Sequence, residues 1–246
     1  METENQAQIL SNVEIAKDIW KIDLETPQAA EVKPGQFVMV ELPGYFLRRP
    51  ISVCDTNDGV LTMIYKVMGK GTDLMTTLKP GESLNLVGPL GQGFPVVGSV
   101  DAVLLIGGGV GTPPLVKTAK AWLEKGKKVD VVLGFNTKND VFGLDLFAQL
   151  GIDAHIATMD GSMGTKGTVL DAIKECNIDT EFVQACGPLP MLRAVQNAYS
   201  KGYISLESRM GCGIGVCMGC VVTDNGGELL RVCKNGPVFP IGKVVL

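Results

Sequence analysis

The chain has 246 residues, 22 Lys and Arg against 26 Asp and Glu, a formal charge of −4, 46% hydrophobic and 20% charged residues, an ordinary globular composition with ample apolar material for a core. The basic residues are scattered, and the densest basic stretch, residues 125–128, is broken by Gly126 and reads as a solvated helix end, which argues against nucleic-acid binding. No apolar run approaches the roughly 20 residues of a membrane span, and Met1, Glu2, Thr3 and Glu4 are acidic and polar where a secretory leader is basic and then apolar, so a soluble cytoplasmic protein is expected.

From residue 8 to about 97 the pattern is one of short strands broken by turns. Residues 13–24, 37–42 and 61–67 are strand-like, residues 73–78 suit a short helix, and Lys33-Pro34-Gly35, Asn57-Asp58-Gly59 and Lys79-Pro80-Gly81 supply tight reversals. This predicts an antiparallel β-barrel or sandwich. At Asp101 the texture changes to a buried strand (102–106), a glycine cluster, a helix (about 114–125) and a second strand (129–135), the pattern of a βαβ unit. Alternation continues through 154–158, 169–175 and 182–185 to a last helix at about 190–201, which predicts a parallel sheet covered by helices. After Leu206 the regular pattern gives way to cysteine and glycine. The expected fold class is therefore multi-module β and α/β, with modules at 1–99, 100–205 and 206–246.

Gly107, Gly108, Gly109, Val110 and Gly111 follow the first buried strand and precede a helix, so the backbone can approach a pyrophosphate with the helix N-terminus aimed at its charge. The strict G-x-G-x-x-G spacing fails, because Thr112 stands three beyond Gly109, and a merely tight strand-to-helix turn fits the residues as well. The strand at 129–135 ends without an arginine pair to hold a 2′-phosphate, which favours NAD over NADP. His155, the single histidine, reads as an ordinary core or surface residue.

Seven cysteines in a cytoplasmic chain point to metal ligation or redox chemistry rather than disulfides. Cys212, Cys217, Cys220 and Cys233 fit C-x4-C-x2-C with a fourth cysteine downstream, the spacing of plant-type [2Fe-2S] ligation. Gly211, Gly213, Gly215 and Gly219 allow the sharp path that points backbone N–H groups at the sulfurs. Four thiolates also suit tetrahedral zinc, or the thiols are simply buried. Cys54, Cys176 and Cys186 lie outside the pattern.

Three segments together resemble the ferredoxin–NADP reductase superfamily and, within it, the electron-transfer subunits of type-B dihydroorotate dehydrogenase, over nearly the whole chain. In the barrel, Arg49-Pro50-Ile51-Ser52 is similar to the flavin motif, in which the arginine meets the FAD pyrophosphate and the serine lies by the reactive isoalloxazine edge. Ile64-Tyr65-Lys66 and Gly71-Thr72 match further flavin contacts, and Gly88-Pro89-Leu90-Gly91 the closing loop. Many relatives carry an aromatic residue where Ile51 stands. Gly107, Gly108, Gly109, Gly111 and Thr112, with Cys186-Gly187-Pro188, resemble the nicotinamide-nucleotide segments, the cysteine near the nicotinamide ring. The run from Glu207-Ser208-Arg209-Met210-Gly211-Cys212 to Phe239 closely resembles the cluster segment of that branch.

The resemblance implies FAD, NAD and a [2Fe-2S] cluster as cofactors, and no side chain as catalytic acid, base or nucleophile. A nicotinamide exchanges a hydride, a cluster passes single electrons and a flavin does both, so the flavin belongs between them. The implied partner is an FMN-containing dihydroorotate dehydrogenase catalytic subunit in a two-plus-two heterotetramer. Electrons then run from dihydroorotate to FMN, cluster, FAD and NAD⁺ in pyrimidine (UMP) synthesis. A self-sufficient NAD(P)H-dependent reductase for another redox partner and a zinc-stabilised binding module are the alternatives.

Overall fold

The computed structural model describes residues 4–246, so the reading of the extreme N-terminus, residues 1–3, lies outside it. Six strands close a barrel in the order β1-β2-β5-β4-β3-β6: β1 (Glu4–Ala16), β2 (Ile19–Glu25), β3 (Phe37–Val40), β4 (Arg49–Asn57), β5 (Val60–Lys66) and β6 (Ser83–Leu90), with α1 (Lys70–Thr76) between the last two. The run 13–24, expected as one strand, is two halves of a hairpin. Asp18 takes the left-handed conformation (φ 59°) and donates its amide to the Glu14 carboxylate at 3.1 Å, reversing the chain at the polar pair Lys17-Asp18.

The second unit is a seven-stranded sheet in the order β10-β9-β8-β7-β11-β12-β15. Its strands are β7 (Ala102–Gly108), β8 (Lys128–Phe135), β9 (His155–Thr158), β10 (Thr165–Lys166), β11 (Phe182–Cys186), β12 (Lys201–Ser205) and β15 (Val238–Pro240). The first six are mutually parallel and β15 is antiparallel to β12. Helices α2 (Pro113–Leu123), α3 (Leu144–Ala148), α4 (Val169–Glu175) and α5 (Leu189–Ala198) make the crossovers. The order reverses between β7 and β11, which creates the crevice at the strand ends where parallel sheets bind nucleotides. Regular structure does not stop at Leu206. A hairpin of β13 (Val221–Thr223) and β14 (Leu229–Arg231), then α6 (Val232–Asn235), lead into β15, so the cysteine segment supplies the edge strand of the second sheet.

The barrel strands alternate two apolar faces. Inward residues such as Val38, Val40, Val53, Met63 and Tyr65 fill the barrel, while the outward Cys54 and Ile64 join Val103, Leu105, Trp122 and Leu133 of the sheet unit in a shared core. Outward Phe37 and Met39 join a third core with Leu104, Ile106, Ala185, Cys220, Cys233 and Phe239. All three parts are thus packed by common cores.

Gln184, fully buried on β11, ties two of them together. Its oxygen accepts from Trp122 Nε1 at 2.9 Å and its amide donates to the Pro95 carbonyl at 2.7 Å, in the segment joining barrel to sheet. Gln184→Ala leaves the Trp122 indole N–H buried and unpaired, at about 1–3 kcal/mol, and takes the partner from the half-buried Pro95 carbonyl. Thermal unfolding should show a Tm lower by about 2–4 °C for each kcal/mol lost, and a Tm equal to the parent chain's would contradict this account of the junction.

Candidate functional site

Arg49 opens β4, its guanidinium 4.4 Å from the centroid of the Tyr45 ring, and its Nη1 donates to the Leu47 carbonyl. Its other side lies against Gly71 at the start of α1, where a Cβ would come within 2.3 Å of Arg49 Nε. The arginine is therefore held between an aromatic face and a glycine that must lack a side chain. Thr72 holds the loop before it, its Oγ1 accepting from the Met68 and Gly69 amides at 2.9 and 3.3 Å. The fold thus brings Arg49, Gly71 and Thr72 together although more than twenty residues separate them. Tyr45 is a partner that sequence reasoning missed, and an aromatic four residues ahead of a candidate phosphate-binding arginine was the available signal.

Along β4, Ile51 and Val53 pack toward the barrel interior, which turns Ser52, with Cys54, toward the sheet unit. Pro50 is half-buried beside them. On β5, Ile64 faces outward and forms one wall of a cleft of about 440 Å³ shared with Ile15, Lys21 and residues 141–146. Lys66 is exposed. Tyr65 turns inward instead, 2% exposed, its hydroxyl donating to Asn12 Oδ1 at 3.0 Å, so only its main chain faces the cleft side of the strand. Burial pushes the Tyr65 phenol up to about 12. Of the three residues in that motif, the structure brings two side chains and one backbone to the face that carries Ser52.

The glycine-rich segment begins inside β7, whose last residues are Gly107 and Gly108, passes through a single 3₁₀ turn at Gly109–Gly111, and enters α2 at Pro113. Proline suits the first helical position because its missing N–H would be unbonded there. Cys186, at the end of β11, is in register with Gly107. A Cβ on Gly111 would lie 2.2 Å from the Cys186 carbonyl oxygen, and one on Gly108 would lie 2.7 Å from Pro188 Cδ. The glycines let the two strand ends touch, and Gly187, with φ 159°, completes the contact from the other side. Thr112 is 1% exposed, and its Oγ1 has no hydrogen-bond partner among the described residues, a buried hydroxyl at the rim of the crevice where a ligand oxygen would satisfy it. The residues present fit a dinucleotide.

Cys186 is buried, and its thiol is pushed up to about 12, first by burial and then by the neighbouring Glu207 carboxylate, with Ser205 acting in the opposite sense. Glu207 itself is raised by burial. It is a charged neighbour of the cysteine that spacing could not reveal, since the parallel pairing of β11 with β12 is what brings them together. His155 is exposed at the start of β9.

The four cysteines of the C-terminal motif fall into two pairs. The Cys217 amide donates to Cys212 Sγ at 3.3 Å and the Cys212 amide to Cys217 Sγ at 3.5 Å, while the Cys233 amide donates to Cys220 Sγ at 3.4 Å. Burial raises the Cys212 thiol, but the amides of Cys217, Ile214 and Val216 outweigh it and bring the group to about 6. The Cys233 thiol goes the other way, to about 12, by burial and then by Cys220 beside it. Two thiol pairs, each met by backbone N–H groups, fit the donor set of two irons with two thiolates apiece. A Cβ on Gly211 or Gly219 would lie 3.3 or 3.6 Å from Cys217 Sγ, and Gly213 lets the loop lie against Met39 of the barrel.

Comparison with known proteins agrees with this geometry part by part. Residues 207–245 match the iron-sulfur cluster binding domain of dihydroorotate dehydrogenase B, and residues 105–197 match the oxidoreductase NAD-binding domain. The electron transfer subunit of dihydroorotate dehydrogenase B (NAD(+)) from Bacillus cereus strain 03BB102 is 45% identical, with 97% of each chain covered, and that of Bacillus anthracis strain CDC 684 is 44% identical over the same shares. A solved NADH-dependent reduced ferredoxin–NADP oxidoreductase superposes with TM-score 0.88 at 32% identity, covering all of this chain and 91% of that one. An Amycolatopsis cytochrome P450 reductase shares the fold of 81% of this chain, at TM-score 0.67 and 24% identity, over 66% of its own length. Barrel, switch-point crevice and paired-thiol segment occur here in one order over one full-length match, and the chain belongs to the family of dihydroorotate dehydrogenase B electron transfer subunits.

Proposed function

We propose that this chain takes electrons from an FMN-containing, dihydroorotate-oxidising catalytic subunit and delivers them to NAD⁺ through a [2Fe-2S] cluster and FAD, as a step of pyrimidine (UMP) synthesis. The observation that carries the reading is the paired arrangement of Cys212 with Cys217 and Cys220 with Cys233, in a segment packed directly on the barrel and on the parallel sheet. When bound, the flavin supplies exchange of a hydride on one side and of single electrons on the other.

In this reading Arg49, held by Tyr45 and Gly71, binds the flavin pyrophosphate with Thr72 bracing the loop. Pro50, Ser52, Ile64 and Lys66, with the main chains of Ile51 and Tyr65, form the wall along which the isoalloxazine lies. Gly107, Gly108, Gly109 and Gly111 let the dinucleotide reach the backbone at the start of α2, Thr112 offers its unpaired hydroxyl, and Cys186, Gly187 and Pro188 border the nicotinamide. Cys212, Cys217, Cys220 and Cys233 hold the irons. Cys186, buried with its thiol raised to about 12, stays a protonated, uncharged neighbour and is no nucleophile at neutral pH.

The cluster loop also offers a place for the catalytic subunit. Val216 and Met218, on either side of Cys217, are 78% and 56% exposed, apolar surface beside the sulfurs that a partner would cover. We place the working unit as a heterotetramer of two plus two in the cytoplasm. No helix among the described residues is long and apolar enough to cross a membrane. The modules are read as 1–99, 100–205 and 206–246, with β15 as the third module's contribution to the second one's sheet.

Anaerobically purified chain should contain about two irons and two acid-labile sulfides, and Cys220→Ser should lose both while keeping flavin. Stoichiometric zinc in a colourless preparation would instead select the zinc-stabilised module. Arg49→Ala should weaken FAD by roughly 10- to 100-fold in a flavin-release titration, the worth of a charge-assisted hydrogen bond. The isolated chain should reduce artificial acceptors with NADH and leave dihydroorotate untouched until the catalytic subunit is added. Dihydroorotate oxidation by the chain alone, or co-purification with a ferredoxin or oxygenase and no FMN protein, would overturn the assignment in favour of a self-sufficient reductase.

A further inference from the structure

We propose that Met39, on the outer face of the barrel, is a positioning residue for electron exchange between cluster and flavin: its side chain seats the cysteine loop beside the flavin motif and keeps water from the gap. This role rests on the cofactor assignment proposed above and adds the residue that joins the two sites.

Strand register puts Met39 next to the flavin motif. On β3, Val38 and Val40 point into the barrel, so Phe37 and Met39 point out of it. On β4, Ile51 and Val53 point in, and Pro50 and Ser52 share the outer face. Met39 pairs with Pro50, and Phe37 pairs with Ser52. Directly opposed residues on one face of an antiparallel pair hold their Cβ atoms about 5 Å apart. Met39 therefore flanks the wall assigned to the isoalloxazine.

The same side chain carries the cysteine loop. Gly213, the residue after Cys212, has φ 72°, and a Cβ there would lie 2.5 Å from Met39 Cγ and 2.7 Å from its Sδ. The loop backbone thus rests on the thioether within the stretch that joins Cys212 to Cys217. A second seat follows Cys233, where Pro237 and the Phe37 ring both close on Gly91. Two outward residues of β3 in this way meet the cysteine segment at two points, and both are opposite residues of the flavin motif.

Met39 and Phe37 are buried in one core with Cys220 and Cys233, while Val216 and Met218 of the same segment are exposed. The segment has a dry seat toward the barrel and an open flank toward a partner. A dry apolar seat opposes the extra negative charge of a reduced cluster, because water and dipoles that would solvate that charge are kept away. Methionine suits the position, since its unbranched side chain follows an irregular backbone. In the exchange one electron leaves the cluster as the flavin gains it, and the thioether is neither oxidised nor reduced.

Anaerobic reductive titration of the full chain, with the cluster followed by EPR, tests this alongside stopped-flow mixing with NADH. Met39→Gln keeps the length of the side chain and brings an amide dipole to the loop. It should favour the reduced cluster about tenfold, a midpoint raised by about 59 mV for one electron. Met39→Ala removes the seat, and should slow reduction of the cluster about 10- to 100-fold while the preceding reduction of the flavin by NADH keeps its rate. Met39→Leu, a volume-conserving apolar exchange, should restore both readouts to within about twofold of the parent chain. A cluster midpoint in Met39→Gln equal to the parent's, with only the Tm or iron content lowered, would reduce Met39 to ordinary packing and overturn the proposal, as would loss of the cluster from both Met39→Gln and Met39→Ala. A parent chain without iron or without flavin would instead remove the cofactor assignment itself, and this role with it.

Discussion

Residues 233–240 touch every part of the molecule, and the arrangement of the three sites depends on that stretch. Cys233 is one half of a thiol pair, and three residues on the Gly236 carbonyl accepts from the Gln92 amide at the end of the barrel at 2.6 Å. The next residue, Pro237, accepts from Leu206 and packs where a Cβ on Gly91 would be 2.5 Å from its ring, and Val238–Pro240 then pairs with β12. Backbone hydrogen bonds to two different sheets, spaced over a few residues, leave the cysteine segment little freedom to rock against either one. A chain that must hold separate redox groups at fixed separations needs such a joint, because the single-electron and hydride steps each depend on contact geometry.

A second theme is the use of missing side chains. Gly71 admits the Arg49 guanidinium, Gly111 admits the Cys186 carbonyl, and Gly213 admits Met39. In each case an element of one site is pressed against an element from far away in sequence, at a distance any larger residue would forbid. The glycine richness of the chain thus serves close approach as well as tight turns. The same economy appears at the sulfurs, where the donors are main-chain amides and the loop supplies its own polar environment.

The two faces of the barrel divide the work. Its interior is an ordinary packed core, into which Tyr65 is drawn with its hydroxyl satisfied by Asn12. Its outer face on β3, β4 and β5 is apolar as well, and there Phe37, Met39, Cys54 and Ile64 bind the barrel to the sheet and to the cysteine segment. The proposed flavin wall occupies the same outer face, so the cofactor cleft and the junction between modules are parts of a single surface.

The sequence alone determined the order of modules, the barrel and parallel-sheet classes, the four cysteines and the main glycine-rich loop, because hydrophobic period, cysteine spacing and turn residues are local properties. It could not place the reversal at Asp18, since residues 13–24 alternate in part and carry no glycine or proline, and the left-handed backbone at that position divides them. It read the C-terminal segment as irregular, because β13, β14 and β15 are three residues each, too short to show a period. Tertiary structure alone decided which side of β5 faces the cleft, that Gly71 meets the Arg49 guanidinium, and that Glu207 lies beside Cys186. Each of these is a contact between residues distant in the chain, set by strand register and packing, and no window of sequence contains both partners.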